Sequence, residues 1–246
     1  VAAETRTLGA EVDPDRLVLT ASTSEAYGFL FRLLADPGDT VLVPAPAFPV
    51  HIYAAIIAGG SVIRINLDED EAFVRRIADM CSHVSPRPKL LILNYPHNPT
   101  AALGSLDLFR EIVRLAKRYD FMVIHDFAYA KIAFDGYHPP SFLEVPGARD
   151  VGVEFGSFSK TYNMAGWRVG YCCGNAEMIR GLTTIKGYYD YGMFQAVQVA
   201  AIVARSDGSL QPYRLHRPDP SPAEAAILVW VAEHPPMADK ATWAAP

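Results

Sequence analysis

The chain has 246 residues, 50% of them apolar or aromatic and 20% charged, which excludes intrinsic disorder and a collagen-like fibre and allows a sizeable core. With 22 basic against 27 acidic residues, a net charge of −5 and no Lys/Arg-rich run, it lacks the electrostatic footprint for nucleic acid or an anionic membrane, so a small-molecule partner is expected. No apolar stretch approaches the roughly 20 residues of a membrane span, and Cys81, Cys172 and Cys173, an odd number without zinc-site spacing, fit buried thiols of a reducing cytoplasm; no metal is expected.

In chain order, Leu17-Val18-Leu19, Thr40 to Val43, Ser61 to Ile65, Lys89 to Leu93, Met122 to His125 and Val151 to Phe155 read as strands, several apolar throughout and so buried on both faces. Helices lie between them. One is predicted from Tyr27 to Ala35, and the clearest from Ser105 to Tyr119, where Leu108, Ile112, Leu115 and Tyr119 recur at helical spacing and Lys117 and Arg118 suit the last turn. Asp36-Pro37-Gly38-Asp39 and Gly59-Gly60 end helices before the next strands. The alternation predicts an α/β fold, a mostly parallel sheet with helices on both faces.

Ligands of such sheets bind beyond the carboxyl ends of the strands, and the loops there are unusual. After the first strand, Ser22, Thr23 and Ser24 offer hydroxyls and free N–H groups ahead of a helix, which suits a phosphate or equally a plain helix cap. Pro44-Ala45-Pro46-Ala47-Phe48-Pro49 holds Phe48 rigidly, to stack on a planar ligand or to cover the core. In Asn94-Tyr95-Pro96-His97-Asn98-Pro99-Thr100 the prolines leave Asn98 projecting an amide donor. Asp126, with Tyr129 three residues on, is costly to bury unless it meets a cation or protonated ring nitrogen; the alternative is a helix cap. Finally, in Ser157-Phe158-Ser159-Lys160, the lysine stands among small and aromatic residues at a strand end, where partial desolvation makes an amine nucleophilic. Arg168, flanked by Trp167, Val169 and Tyr171, reads as a semi-buried arginine that wants an anion.

Singly, each of these has an ordinary structural explanation. Together, a phosphate cradle, a stacking aromatic, an acid for a ring nitrogen, donors for a phenolic oxygen and a lysine amine are the requirements of pyridoxal 5'-phosphate. The run from Ser157 to Gly170, with Asn98-Pro99-Thr100 and Asp126-Phe127-Ala128-Tyr129 in order before it, resembles the cofactor-attachment pattern of class I aminotransferases. Phe134-Asp135-Gly136-Tyr137, Val145 to Phe155 and Asn163 to Arg168 are most similar to the bacterial alanine transaminase branch, close to LL-diaminopimelate aminotransferases. The resemblance implies that Lys160 holds the cofactor as a Schiff base and then carries the substrate α-proton. It implies too that Asp126 keeps the ring nitrogen protonated, and that Asn98 and Tyr129 bond the phenolic oxygen. Phe48 stacks on the ring in this scheme, and Ser22, Thr23, Ser24, Ser157, Ser159 and Arg168 hold the phosphate. Alanine- or glutamate-type amino acids and 2-oxo acids are the implied substrates, exchanged in ping-pong half-reactions by a cytoplasmic homodimer. The same site serves β-lyases and synthases, and a cofactor-binding chain without turnover is a further alternative.

Two departures stand out: Ala101 replaces the glycine of the Asn-Pro-Thr-Gly motif at a turn that prefers positive φ, and Ser22 stands where many relatives have glycine. The resemblance runs from about Arg16 to Ala204, without the family's N-terminal segment or its C-terminal small domain. Residues 1–204 therefore read as an N-terminally incomplete cofactor-binding large domain. The tail, residues 205–246, holds 7 of the 19 prolines and is unlike the family, as a change of reading frame would produce; Ala225 to Val231 is its one apolar run. Translating the coding DNA after Ala204 in the other two frames tests that origin, which fails if neither restores a family-like small domain.

Overall fold

A computed structural model describes residues 13–206. Seven strands, β1 (Leu17–Thr20), β2 (Thr40–Ala45), β3 (Ser61–Asn66), β4 (Pro88–Asn94), β5 (Met122–Asp126), β6 (Gly152–Ser157) and β7 (Gly170–Gly174), build one sheet in the order β1-β7-β6-β5-β4-β2-β3. Neighbours run parallel except at β7, which pairs antiparallel with both β1 and β6. The mostly parallel sheet expected from the alternating pattern is therefore present. β7 is an addition: Gly-Tyr-Cys-Cys-Gly is short and bounded by glycines, so it carries little periodicity of its own.

The helices are α1 (Ser22–Leu34), α2 (Pro49–Ile57), α3 (Asp70–His83), α4 (Leu106–Tyr119), α5 (Ala148–Val151), α6 (Phe158–Thr161), α7 (Ala176–Tyr189) and α8 (Gln195–Ser206). They cover both faces, because successive strand residues point to opposite sides. On one face Tyr27, Leu30 and Phe31 of α1, Ala55 of α2 and Leu182 of α7 pack on Val41, Val43, Ile92 and Ile124. On the other, Phe73 and Ile77 of α3 and Phe109 and Ile112 of α4 pack on Leu42, Leu91, Leu93 and Val123. α4 forms as its pattern predicts: the Ser105 hydroxyl accepts from the Leu108 N–H at 3.0 Å, and Asp120 closes the helix in the left-handed region at φ 58°.

Among the described residues no helix is long and apolar enough to cross a membrane, and no group of three or more His, Cys, Asp or Glu could hold a metal ion. The proline-rich tail beyond residue 206, with Ala225 to Val231, and the first 12 residues lie outside the described part.

Candidate active site

The six strands other than β7 end at one edge of the sheet, and the register lines up the residues that matter there. Asn94 stands beside Asp126, and Asp126 beside Phe155, across β4, β5 and β6. Farther along, Ser157 pairs with Gly170 and Gly170 with Thr20, which brings the β6 end to the β1 end.

At that end Ser22, Thr23 and Ser24 form the first turn of α1. This corrects the expected loop and a helix from Tyr27. The Glu25 carboxylate accepts the Ala21 N–H at 2.8 Å and so satisfies a donor ahead of the first turn, which lets the helix begin at Ser22. Ser22 is buried at φ 71°, and its hydroxyl accepts from the Ser24 N–H at 3.2 Å and from Arg168 Nη2. Gly170 presses on this turn: a Cβ there would sit 2.9 Å from the Ser22 carbonyl carbon and 3.0 Å from the Thr23 nitrogen. Both departures from glycine, Ser22 and Ala101 (φ 58°), thus occupy the strained left-handed region.

Arg168 is exposed rather than semi-buried. Its own φ of 54° turns the chain so that its apolar sequence neighbours do not cover it, and Nη1 donates to the Ala165 carbonyl at 2.9 Å. Ser157 caps α6, accepting the Ser159 N–H at 3.2 Å, and α6 carries Lys160. Lys160 Nζ lies 5.8 Å from the centre of the Tyr129 ring, and the Tyr129 hydroxyl accepts from Asn98 Nδ2 at 3.2 Å. The third loop is held by a residue whose part its sequence context does not signal. Asn94, buried at the end of β4, accepts the Asn98 N–H at 2.9 Å and donates to the Asp126 carbonyl at 2.9 Å.

Asp126 is buried, and no helix follows β5 for it to cap. Oδ1 instead accepts the Ala128 N–H at 3.2 Å, while Oδ2 faces His51 Nε2 at 3.1 Å and the Tyr27 hydroxyl at 3.3 Å. A carboxylate only accepts, so Nε2 carries the hydrogen of its contact. Burial first, and then the Asp126 charge, hold the Tyr27 hydroxyl well above its ordinary pKa, so it remains a neutral donor. Neither Tyr27 nor His51 is signalled by sequence except that His51 follows Phe48 by three residues at the start of α2. Phe48 does not cover the core: it is 42% exposed, with its ring 5.8 Å from that of His51.

The structure thus brings together Phe48, His51, Asp126 and Tyr27 as one group, Asn98, Tyr129 and Lys160 as a second, and Ser22 with Arg168 as a third. A ring nitrogen, a phenolic oxygen with a carbonyl carbon, and a phosphate are the complements of these groups. The donor chemistry, a buried carboxylate with a lone pair to spare and a turn pressed close by Gly170 fit pyridoxal phosphate.

A model of the aminotransferase class I and II family matches residues 3–213. The chain belongs to this family. Over 195 residues it is 48% identical to glutamate-pyruvate aminotransferase AlaC of Escherichia coli, covering 79% of this chain and 47% of that protein. It is 46% identical over 200 residues to an LL-diaminopimelate aminotransferase of Desulforudis audaxviator, covering 81% and 51% respectively. Among solved structures, an aminotransferase from Staphylococcus aureus superposes with a TM-score of 0.74 at 32% identity, over 81% of this chain and 53% of the other. Aspartate aminotransferase from Thermotoga maritima gives 0.74 at 28% identity, over 82% and 54%. This aminotransferase-family chain spans about half the length of the relatives it matches, and its sheet is that of the family's large domain.

Proposed function

We propose that the chain is the cofactor-binding large domain of a pyridoxal-phosphate-dependent aminotransferase that exchanges an amino group between an alanine- or glutamate-type amino acid and a 2-oxo acid. One observation carries this reading: a buried carboxylate, Asp126, lies at the same sheet edge as the Lys160 amine and the Asn98–Tyr129 pair. When bound, the cofactor supplies an electron-withdrawing ring that lowers the cost of removing the substrate α-proton. Lys160 Nζ would hold the cofactor and, as a free amine, would move that proton. Asp126 holds a proton on the ring nitrogen. Asn98 and the Tyr129 hydroxyl bond the phenolic oxygen, and Phe48 lies against the ring. Ser22, Thr23, Ser24, Ser157, Ser159 and Arg168 hold the phosphate at the start of α1, where the helix dipole favours an anion.

Residues 1–204 are the large domain in this reading, and residues 205–246 a tail of separate character. A homodimer is proposed as well, supported by the exposed Tyr188, Tyr191 and Phe194, which are 80%, 89% and 67% accessible; a monomer in sedimentation would overturn it. A cytoplasmic location agrees with the three free, buried cysteines, of which Cys81 has its thiol pushed up to about 11 by burial.

The experiment is to add pyridoxal phosphate, reduce with borohydride and locate the added mass. It is expected on the Lys160 peptide and absent from Lys160→Ala; an adduct that persists in that variant sinks the assignment. Alanine and 2-oxoglutarate then test transfer. Cofactor uptake without pyruvate formation would overturn the transfer reading and leave a chain that binds the cofactor without turnover.

A further inference from the structure

The contacts of Asp126 are unevenly divided between its two oxygens. Oδ2 has two donors, His51 Nε2 at 3.1 Å from α2 and the Tyr27 hydroxyl at 3.3 Å from α1; Oδ1 has one, the Ala128 N–H at 3.2 Å. Each carboxylate oxygen offers about two lone pairs. Oδ2 is therefore fully used and Oδ1 has one acceptor position left. Tyr27 is able to hold this arrangement because it cannot move: it is fully buried, its ring meets Phe155 edge-on at 4.7 Å and stacks on Phe31 at 6.1 Å, and the His51 ring lies 5.3 Å away.

We propose that Tyr27 is a positioning residue: by donating to Asp126 Oδ2 beside His51, its hydroxyl saturates that oxygen, fixes the carboxylate plane, and leaves Oδ1 as the oxygen offered to the cofactor's ring nitrogen. This rests on the cofactor reading above and adds to it the choice of oxygen and the residue that makes the choice. With the plane fixed, the remaining lone pair of Oδ1 keeps one direction, whereas a carboxylate free to rotate would lose its alignment with the ring nitrogen. At a position inside an apolar helix face, a leucine or phenylalanine would fill the space without fixing the carboxylate.

Two measurements on the full chain test this. In the cofactor-free protein, the Tyr27 hydroxyl proton should appear as a slowly exchanging, downfield NMR resonance, absent in Tyr27→Phe and moved upfield in Asp126→Asn. If no such resonance exists, or Asp126→Asn leaves it in place, the contact is not made and the proposal falls. In the loaded protein, the nitrogen-15 signal of isotopically labelled pyridoxal phosphate should move in Tyr27→Phe toward the value of an unprotonated pyridine. Affinity should fall about threefold to tenfold, the loss of one modest hydrogen bond. A merely structural Tyr27 would lower melting temperature without moving the ring-nitrogen signal, and an unmoved signal with cofactor bound overturns the positioning role. Should Tyr27→Phe fail to fold, the Asp126→Asn arm, which keeps Tyr27, still decides the contact. A wild-type chain that shows the hydroxyl resonance yet takes up no cofactor would sink the cofactor reading and the ring-nitrogen role with it, while the Tyr27–Asp126 contact stands.

Discussion

His125 and Asp126 are neighbours on β5, yet they face opposite sides of the sheet and live in opposite kinds of polar site. His125 is fully buried among Phe109, Phe127 and Phe142, and both ring nitrogens have partners, Glu154 at 2.9 Å and the Tyr95 carbonyl at 3.2 Å. Glu154 in turn accepts from the Ser141 hydroxyl and the Phe142 N–H, each at 2.9 Å. That cluster is closed: it ties the segment at 141–144 to the sheet and has nothing left to offer a ligand. Asp126, by contrast, keeps a lone pair on Oδ1 without a partner among the described residues. Two buried acid–histidine pairs one residue apart thus differ in whether every hydrogen-bonding position is filled, and only the open one suits the proposed ligand role.

The largest effect should come from breaking the closed cluster. Glu154→Ala leaves a buried imidazole, a hydroxyl and a backbone N–H without their acceptor, and should cost about 3–5 kcal/mol of unfolding free energy in a denaturant titration. A cost below about 1 kcal/mol would mean that water reaches the cluster and that it is not closed. Next in size is the double variant His125→Phe with Glu154→Leu. Removing both partners should recover part of the loss, because an apolar pair of similar volume packs well. The Ser141 hydroxyl and Phe142 N–H remain orphaned, so a loss of about 1–3 kcal/mol should persist; full recovery would show that only the His125–Glu154 contact mattered.

Asp126→Asn probes the open pair. The amide keeps the shape and one acceptor oxygen, so stability should change by less than about 1 kcal/mol, while pyridoxal phosphate affinity should fall at least about tenfold because a neutral amide cannot match a protonated ring nitrogen. Equal losses of stability in Asp126→Asn and Glu154→Ala would erase the distinction between the two sites.

This distinction was only half legible in sequence. The strands were readable because Leu90 to Leu93 and Met122 to Ile124 are apolar on both faces, and the site loops because Lys160, Asp126 and Asn98 stand at strand ends in family-like runs. Tyr27 and His51 were not, since each sits in an apolar helix and gains its meaning only when folding carries it to Asp126, 99 and 75 residues away. The start of α1 departs from the pattern for a local reason: Ser and Thr suit caps, but here Glu25 meets the Ala21 N–H and the hydroxyl residues enter the helix. Arg168 is exposed because apolar neighbours in sequence do not cover a side chain whose backbone has turned to positive φ.

The smallest predicted effect concerns a third histidine, which lies between these two environments. His97 is buried on the Asn98 loop, with Nδ1 2.7 Å from the Thr100 hydroxyl. Burial, and then the nearby His51, lower its pKa below the ordinary histidine value. The unfolded chain therefore takes up a proton more readily than the folded one. The stability this confers is fully present above the unfolded value of about 6.5 and is lost as pH falls through the lowered folded value. Unfolding titrations between roughly pH 7.5 and 5 should show a stability that declines with acidification, and a shallower decline in His97→Asn, which keeps a partner for Thr100 but cannot titrate. If the two slopes coincide, His97 is solvated enough to charge freely, and the Asn98 loop is more open to water than the closed cluster behind it.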